Sequence, residues 1–386
     1  MKSLLGTATN AAYVLVVQVL ALVTLAPADF GSFSIQYLLF AFASSLSLSL
    51  ISEAWLRVDL KGGGRGDWAE YSSATLYLSL AAGVATVVIS LLVEPLRPIA
   101  WIGAVAVATS TYRASARYYA VRMQEHRNIL SGDAVGLVVS LAVWGAGLAT
   151  GNHGLVMMTL AWAAGALASA LLSKWPRLRA PRSLGEWGRK HSAQIRPLLR
   201  DSLLMDAGSI GTPYLLAPVL GLANFGVYRA ISNVAAPVRL VLNPIRPQLA
   251  AAPIHRQRSA GRVSAVVAAS VLFGVAAWVV LLLVGVLDLQ LGSLTEIVVF
   301  AVPAAVFVAA NFLGHYFYIV ARAHLDGRQL LVGRVAQTLL AIVVPIVGVI
   351  LWGLPGAIWG YAGCTAASSL VWLGLIVRPA RGSAAR

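Results

Sequence analysis

A six-residue stretch occurs twice in this chain, and its two positions decide the fold. Residues Ala28–Phe33 read ADFGSF, and residues Ala223–Tyr228 read ANFGVY, 195 residues later in a chain of 386. Each copy lies between two long apolar runs, where a short turn is expected to join two helices. A stretch repeated half a chain apart predicts that the protein consists of two halves built alike.

The composition places this chain in the membrane. It is 59% hydrophobic and 11% charged, with a mean hydropathy of +0.80, whereas a soluble domain has about 25% charged residues. Its apolar runs of 18 or more residues suit a hydrocarbon layer about 30 Å thick. We therefore predict an all-α polytopic membrane protein. Cleavage of the first run as a signal peptide, after an A-x-A-like site at 26–28, is the alternative for the N-terminus.

The distribution of positively charged residues predicts which connections lie on the cytoplasmic side of the membrane. The formal net charge is +15, but nearly all Lys and Arg residues lie in alternate connections between apolar runs. This alternation is typical of the positive-inside bias, which places the basic connections and both termini in the cytoplasm. Nucleic acid is therefore not an expected partner, and the lipid bilayer is.

Hydropathy divides the chain into twelve predicted spans and three regions. The regions are an N-terminal six-helix bundle (1–173), a basic cytoplasmic linker (174–200) and a C-terminal six-helix bundle (201–386). The linker is either a solvated segment beside anionic headgroups or a docking site for a partner. The predicted spans are 4–26, 33–56, 74–93, 98–117, 129–150, 155–173, 202–220, 226–248, 263–287, 295–320, 331–352 and 356–377.

The repeated stretch joins spans 1 and 2 in the first half and spans 7 and 8 in the second. A second echo supports the repeat: RMQEHRNIL from Arg122 resembles RAHLDGRQLL from Arg322, each at the inner end of its half's fourth span. Because each half has six helices, both bundles should have the same orientation. Transporters with such parallel repeats bind their substrates between the repeats.

The twelve-helix layout, with DFG-x-F/Y after span 1 and NFGVYRA after span 7, resembles the multidrug/oligosaccharidyl-lipid/polysaccharide (MOP) exporter superfamily. Within it, the chain most resembles polysaccharide-biosynthesis flippases of the Wzx type. The resemblance implies a MATE-like fold and a cavity lined by the second and eighth helices. It also implies a bacterial inner (plasma) membrane protein that flips a polyprenyl-diphosphate-linked glycan. Glycosyltransferases or the polymerase of the same pathway are then candidate partners.

Polar residues concentrate in span 8. Pro237 and its neighbouring prolines should bend this span, as expected of helices that border a cavity. An arginine near mid-membrane costs at least ~2.5 kcal/mol, so it should face water or a partner. A guanidinium fork suits phosphate oxygens, and the alternative is pairing with internal acids. Six polar residues fall within an arc of roughly 140° on an ideal helix: Arg229, Ser232, Asn233, Arg239, Asn243 and Arg246.

The matching helix of the first half has a serine stripe in place of arginines. It comprises Ser34, Ser45, Ser49 and Ser52, and we predict Ser45 and Ser49 to bind substrate. Arg57 at the inner end of this span is either a portal residue or the i,i+4 ion-pair partner of Glu53.

Energy coupling has four candidate residues and no cofactor. His315 can carry protons near neutral pH, and Asn311 shares its helix face. Glu53 and Asp206 are further candidates for Na⁺ or H⁺ binding, although a carboxylate such as Asp206 also fits a helix N-terminus. We expect no resident metal and no catalytic site, because HExxH, CxxC and P-loop motifs are absent from the sequence.

Three other functions compete with the flippase prediction. A multidrug cation exporter of the same superfamily would need carboxylates deep in its cavity, and none occurs at mid-depth in the predicted spans. A membrane glycan polymerase or ligase would need large outer loops, whereas the predicted outer connections have only a few residues. A scaffold in a polysaccharide assembly complex, with no transport activity, remains the third alternative.

Overall fold

The computed structural model of the protein describes residues 2–62 and 67–377, except for the side chains at 2–12, 58–62, 126–128, 243–244, 246–248 and 250–251. Within these ranges the chain is helical and contains no β-strand. It divides into two compact units, Met1–Asp206 and Ala207–Arg386. Of the predicted basic connections, Arg65 and the C-terminal Arg378, Arg381 and Arg386 lie outside the described residues.

Unit 1 contains eight α-helices and two short irregular helices. A π-helix, Leu48–Ser52, interrupts the second predicted span, and a 3₁₀-helix, Glu94–Ile99, precedes α5. The α-helices are α1 (Lys2–Thr24), α2 (Pro27–Ser47), α3 (Glu53–Gly62), α4 (Trp68–Leu92), α5 (Ala100–Arg122), α6 (His126–Ala149), α7 (Leu155–Leu171) and α8 (Arg182–Asp206).

Unit 2 begins with a π-helix at Ala207–Gly211 that continues directly into α9. A 3₁₀-helix, Val298–Phe300, precedes α14. The α-helices are α9 (Thr212–Val234), α10 (Ala236–Ala251), α11 (Ile254–Gln257), α12 (Ala260–Val286), α13 (Ser293–Glu296), α14 (Ala301–His324) and α15 (Gly327–Val377).

The structure confirms an all-α, multi-pass membrane protein. Seven helical segments of the described chain are long and apolar enough to cross a membrane, and two of them, Arg182–Leu242 and Gly327–Val377, each run through two predicted spans. In the second segment the backbone leaves helical geometry at Trp352 and at Gly353, where φ is +60°. The count of twelve spans stays a prediction.

The predicted linker, 174–200, lies entirely within unit 1. Most of it forms α8, whose buried side chains include Trp187, His191 and Leu198. The indole nitrogen of Trp187 donates to the Leu50 carbonyl in the π-helix of unit 1 at 2.9 Å. A π-helix shifts the regular hydrogen-bond ladder, and α8 supplies a donor at that point. The division between the two units falls six residues after the end of the predicted linker, at Asp206.

The repeated stretch is helical in both units and does not form a turn. ADFGSF forms the start of α2, where Pro27 is well suited to the first position of a helix. ANFGVY follows Gly221, whose φ of +73° breaks the helix, and glycine adopts that conformation without a Cβ penalty. The phenylalanine of each copy, Phe30 or Phe225, is fully buried.

The aromatic residue that ends each copy packs in the same way in its own unit. The ring centroid of Phe33 lies 5.6 Å from that of Trp162 in α7. The ring centroid of Tyr228 lies 5.1 Å from that of Tyr361, which follows the break in α15. In both units, therefore, the second predicted span packs on the sixth through an aromatic pair. This shared contact explains why the stretch occurs twice.

Small residues allow the last two spans of each unit to pack closely. In unit 1, a Cβ added at Gly136 would lie 3.0 Å from the Gly165 carbonyl oxygen. In unit 2, a Cβ added at Gly348 would collide with the Gly356 carbonyl oxygen, and one at Gly360 would lie 2.8 Å from the Val344 oxygen. Such close backbone approach is typical of membrane helix pairs. The chain therefore folds back on itself at residues 352–353.

We predict that Gly348→Ala destabilises the protein, because its Cβ would meet backbone that cannot move without separating the two spans. Overpacking of this kind costs roughly 1–3 kcal/mol, which should appear as a lower melting temperature of the purified protein in detergent. Gly363→Ala is the matched control, since nothing lies within 4 Å of a Cβ there. Equal melting temperatures for the two variants would contradict this packing.

Candidate functional site

The candidate site is in unit 2, where the eighth predicted span is broken. α9 ends at Val234, α10 begins at Ala236, and the Val238 amide donates to the Ala235 carbonyl at 3.1 Å. Pro237 explains the break, because proline supplies no amide proton and its ring clashes with the carbonyl four residues earlier. The predicted polar stripe is therefore divided between two helices.

The two principal arginines lie on either side of this break. Arg229 is half-buried in α9, one turn before the helix ends, and Arg239 is exposed in the first turn of α10. The N-terminus of α10 adds a partial positive charge beside Arg239. The C-terminus of α9 lies at the same break and adds a partial negative charge, so the two helix ends together favour neither an anion nor a cation. The two guanidinium groups favour an anion.

Three tyrosines lie near Arg229, and one of them also lies near Arg239. Arg229 lies within electrostatic range of the hydroxyls of Tyr214, Tyr228 and Tyr361. Arg239 also acts on Tyr361. The Tyr361 ring stacks on Phe307 with centroids 4.5 Å apart, which fixes its position. Both arginines therefore lie within electrostatic range of Tyr361, and sequence reasoning identified only the arginines.

Unit 2 contains few carboxylates to neutralise these arginines. Residues 207–386 include only three acidic residues, Asp288, Glu296 and Asp326. All three are exposed, and they lie in connections or in the short helix α13. An anionic ligand thus meets no competing acidic side chain within the long helices of this unit.

The other predicted residues of this span contribute less. Asn233 is half-buried near the end of α9, and the Ser232 hydroxyl donates to the Arg229 carbonyl at 2.7 Å, within the same helix. Asn243 and Arg246 belong to α10, but their side chains lie outside the described residues.

The serine stripe of unit 1 is largely occupied by protein contacts. Ser49 lies in the π-helix, is 1% exposed, and its hydroxyl is 2.5 Å from that of Ser202 in α8. Ser52 is hydrogen-bonded to the Tyr71 hydroxyl at 2.8 Å. Ser45 is half-buried and accepts from the Ser49 hydroxyl through its carbonyl oxygen at 3.0 Å. Substrate binding by Ser45 and Ser49 stays a prediction.

The ion pair considered for Arg57 and Glu53 does not form among the described side chains. Arg57 is exposed near the middle of α3, whereas Glu53 is half-buried at its start. An exposed i,i+4 pair gains little free energy because water screens the attraction. The i,i+4 spacing was therefore not sufficient to predict an ion pair here.

The coupling candidates are distributed over both units. Asn311 and His315 are half-buried in α14 of unit 2. Asp206 is 4% exposed and is the last residue of α8, after which the chain continues into the π-helix at Ala207–Gly211. The alternative role for Asp206 at a helix N-terminus is therefore wrong, because the chain is already helical before it. No group of three His, Cys, Asp or Glu side chains suited to a metal occurs in the described part of the chain.

Sequence reasoning missed a buried charge cluster in unit 1. Asp133 is 2% exposed and is bound by Arg113, which is itself 5% exposed, and by Nε of Arg117 at 3.1 Å. The Arg113 guanidinium also lies over the Tyr13 ring, 4.4 Å from its centroid. Because Asp133 lies in the third turn of α6, it does not serve the helix N-terminus. Two arginines at i,i+4 in one span and an acid in the next were the available signal.

A polar pair also occurs in unit 2. Tyr318 and Arg334 lie in its fourth and fifth predicted spans, as Arg117 and Asp133 do in those of unit 1. Arg334, 5% exposed, donates to the Tyr318 hydroxyl at 2.5 Å. Each unit therefore joins its fourth and fifth predicted spans through a polar pair.

Two solved structures have a similar fold at low sequence identity. An inward-facing MATE-family multidrug resistance transporter of the MOP superfamily has a TM-score of 0.62 at 13% identity, with 96% of this chain and 93% of that chain covered. The lipid II flippase MurJ, in an inward closed conformation, has a TM-score of 0.66 at 11% identity, with 96% and 86% covered. This chain has the MOP fold. No protein-family profile matches the sequence, and no curated protein matches it.

We predict that Asp133→Asn destabilises unit 1, because it leaves the buried Arg113 and the half-buried Arg117 without their shared carboxylate. Removing one partner of a buried ion pair costs roughly 3–5 kcal/mol. The measurement is the melting temperature and the monodisperse fraction in detergent. Glu296→Gln, which removes an exposed carboxylate, should change neither quantity. An unchanged Asp133→Asn protein would show that the cluster contributes no stability.

Proposed function

We propose that this protein is a secondary transporter that flips a polyprenyl-diphosphate-linked oligosaccharide from the inner to the outer leaflet, for surface polysaccharide synthesis. The observation that carries the proposal is the position of Arg229 and Arg239 on either side of the break between α9 and α10, both within electrostatic range of Tyr361. It occurs in a unit whose three acidic residues are all exposed and outside the long helices. Such a site favours a diphosphate over a cation.

The position of Arg239 within a predicted membrane span supports a water-filled cavity beside it. An exposed arginine within a membrane span is too costly to leave in hydrocarbon, so Arg239 must meet water or a polar partner. A transport cavity supplies that water. The break in the span supports this reading, because non-helical backbone at membrane depth is tolerated where it borders a cavity.

A diphosphate also gives the arginines a role in transport. The positive charge of Arg229 and Arg239 opposes any movement that brings the two guanidinium groups into a drier environment. A bound diphosphate cancels much of this charge and so lowers the cost of turning outward. The polyprenyl tail stays in the bilayer throughout, and only the headgroup uses the cavity. Asn233 and the tyrosine hydroxyls supply further hydrogen bonds to phosphate or sugar.

The known structures are compatible with two classes of cargo. The names of the similar proteins include both a multidrug transporter and a lipid II flippase, so likeness in fold does not choose between them. Charge does: an organic cation would be repelled by Arg229 and Arg239 and would find no acidic side chain in the long helices of unit 2. We therefore favour the anionic lipid-linked glycan.

The remaining parts of the proposal follow from this assignment. The protein acts without an enzymatic step, in a bacterial inner membrane, with its termini in the cytoplasm. His315, Asn311, Glu53 and Asp206 are its candidate residues for Na⁺ or H⁺ coupling. Glycosyltransferases or the polymerase of the same pathway would supply or consume its cargo.

The proposal predicts that Arg239→Ala weakens binding of undecaprenyl diphosphate to the purified protein. A hydrogen bond to a charged group contributes about 1.5–3 kcal/mol, so the dissociation constant should rise roughly 10- to 100-fold. The same variant should fail to complement a strain that lacks a Wzx-type flippase. Arg239→Lys should retain part of the binding, because charge is kept and the planar fork is lost.

The matched control is Arg328→Ala, an exposed arginine at the start of α15, which should bind and complement like the unmodified protein. Unchanged diphosphate binding by Arg239→Ala would contradict the proposal. Cellular efflux of ethidium that depends on the protein, without diphosphate binding, would instead favour the multidrug exporter.

A further inference from the structure

The segment that connects α7 to α8 is held against unit 1 by hydrogen bonds. Residues 174–180, here called the strap, are non-helical. Side chains of α4 and α5 hold the strap backbone at five points. Three strap carbonyls accept hydrogen bonds: that of Lys174 from Tyr112 at 2.6 Å, that of Trp175 from Trp68 at 2.8 Å and that of Arg179 from Tyr77 at 2.8 Å. Two strap amides donate to serine hydroxyls: that of Arg177 to Ser72 at 3.1 Å and that of Arg179 to Ser73 at 2.7 Å.

A cleft of about 180 Å³ lies between the strap and the helices α4, α5 and α7. Several of its residues are open to the exterior of unit 1: Leu80 is 52% exposed, Leu171 50% and Trp175 68%. In a membrane protein this surface meets acyl chains. The cleft walls are mainly apolar and include Leu76, Leu80, Ala108, Leu171, Trp175 and Pro176.

The strap also has the chemistry of a membrane interface. Trp175 and Leu178 are 68% and 70% exposed, which would be unfavourable in water alone. They alternate with Arg177 and Arg179, both exposed. Tryptophan beside arginine is typical of the headgroup level, where the aromatic ring meets the acyl boundary and the cation meets phosphate. The predicted cytoplasmic side of the strap places it at the inner leaflet.

We propose that this cleft binds one anionic phospholipid of the inner leaflet. An acyl chain lies along Leu76, Leu80 and Ala108, and Trp175 packs at the level of the glycerol backbone. The headgroup phosphate meets Arg177, which directly follows the residues that close the cleft. The apolar walls exclude free phosphate as the ligand, and the adjacent arginine favours an anionic lipid over a zwitterionic one. The site belongs to unit 1 and does not depend on the proposed cargo.

The first test measures lipid retention by the full-length protein. Native mass spectrometry of the detergent-purified protein should show one phosphatidylglycerol retained in preference to phosphatidylcholine with identical acyl chains. Arg177→Gln should weaken this retention roughly tenfold, as expected for loss of a charge-assisted hydrogen bond. Arg189→Gln, an exposed arginine on α8, is the matched control and should bind like the unmodified protein.

The second test fills the cleft. Ala108→Trp should abolish retention of the lipid, whereas Val84→Trp, at a 64% exposed position of α4 outside the cleft, should leave it intact. If Ala108→Trp does not fold, Arg177→Gln still decides the question, because its side chain is exposed.

Three results would overturn the proposal. They are equal retention of the two phospholipids, unchanged retention in Arg177→Gln, and displacement of phosphatidylglycerol by an equal concentration of undecaprenyl phosphate. The last result would assign the cleft to a polyprenyl lipid instead.

Discussion

Everything in this protein is constrained by the cost of charge in hydrocarbon. A membrane span cannot present an unsolvated arginine to lipid. Each arginine within a span therefore needs water, an ion-pair partner or another polar neighbour. Arg113 meets the requirement with the shared carboxylate of Asp133 and a tyrosine ring. Arg229 and Arg239 lie instead among tyrosines, in a unit with few acidic residues. The ion pair of Arg113 with Asp133 stabilises unit 1, whereas Arg229 and Arg239 are the residues that we propose bind an anionic ligand.

The same solvent explains how the helices are built and broken. In lipid every backbone polar group must be satisfied internally, and the irregular points of this chain meet that demand locally. The indole of Trp187 donates to the Leu50 carbonyl where a π-helix interrupts the ladder. The Val238 amide donates to the Ala235 carbonyl where Pro237 ends the regular pattern. Close glycine contacts, as between Gly348 and Gly356, then bring neighbouring spans together without a driving force from water.

Much of the fold could be predicted from the sequence, because hydropathy and charge bias report directly on the membrane. The apolar runs correspond to helices, and the repeated stretch occurs once in each compact unit. The stretch was nevertheless predicted as a turn, whereas Phe30 and Phe225 lie in helices. Local signals such as Gly221 mark a break, but they do not reveal on which side the next helix begins. The extent of α8 was missed because its polar composition is typical of a solvated linker.

For the site, the sequence identified which residues are chemically unusual, and the tertiary structure decided what surrounds them. Positive charge on span 8 and the scarcity of acids in the second half are properties of composition, readable without coordinates. That Tyr361 joins Arg229 and Arg239, while Ser49 is buried against α8, depends on contacts between residues far apart in the chain. Helical periodicity fixes the face on which a side chain lies, but it does not specify whether a neighbouring helix or a cavity covers that face. Packing between spans makes that choice.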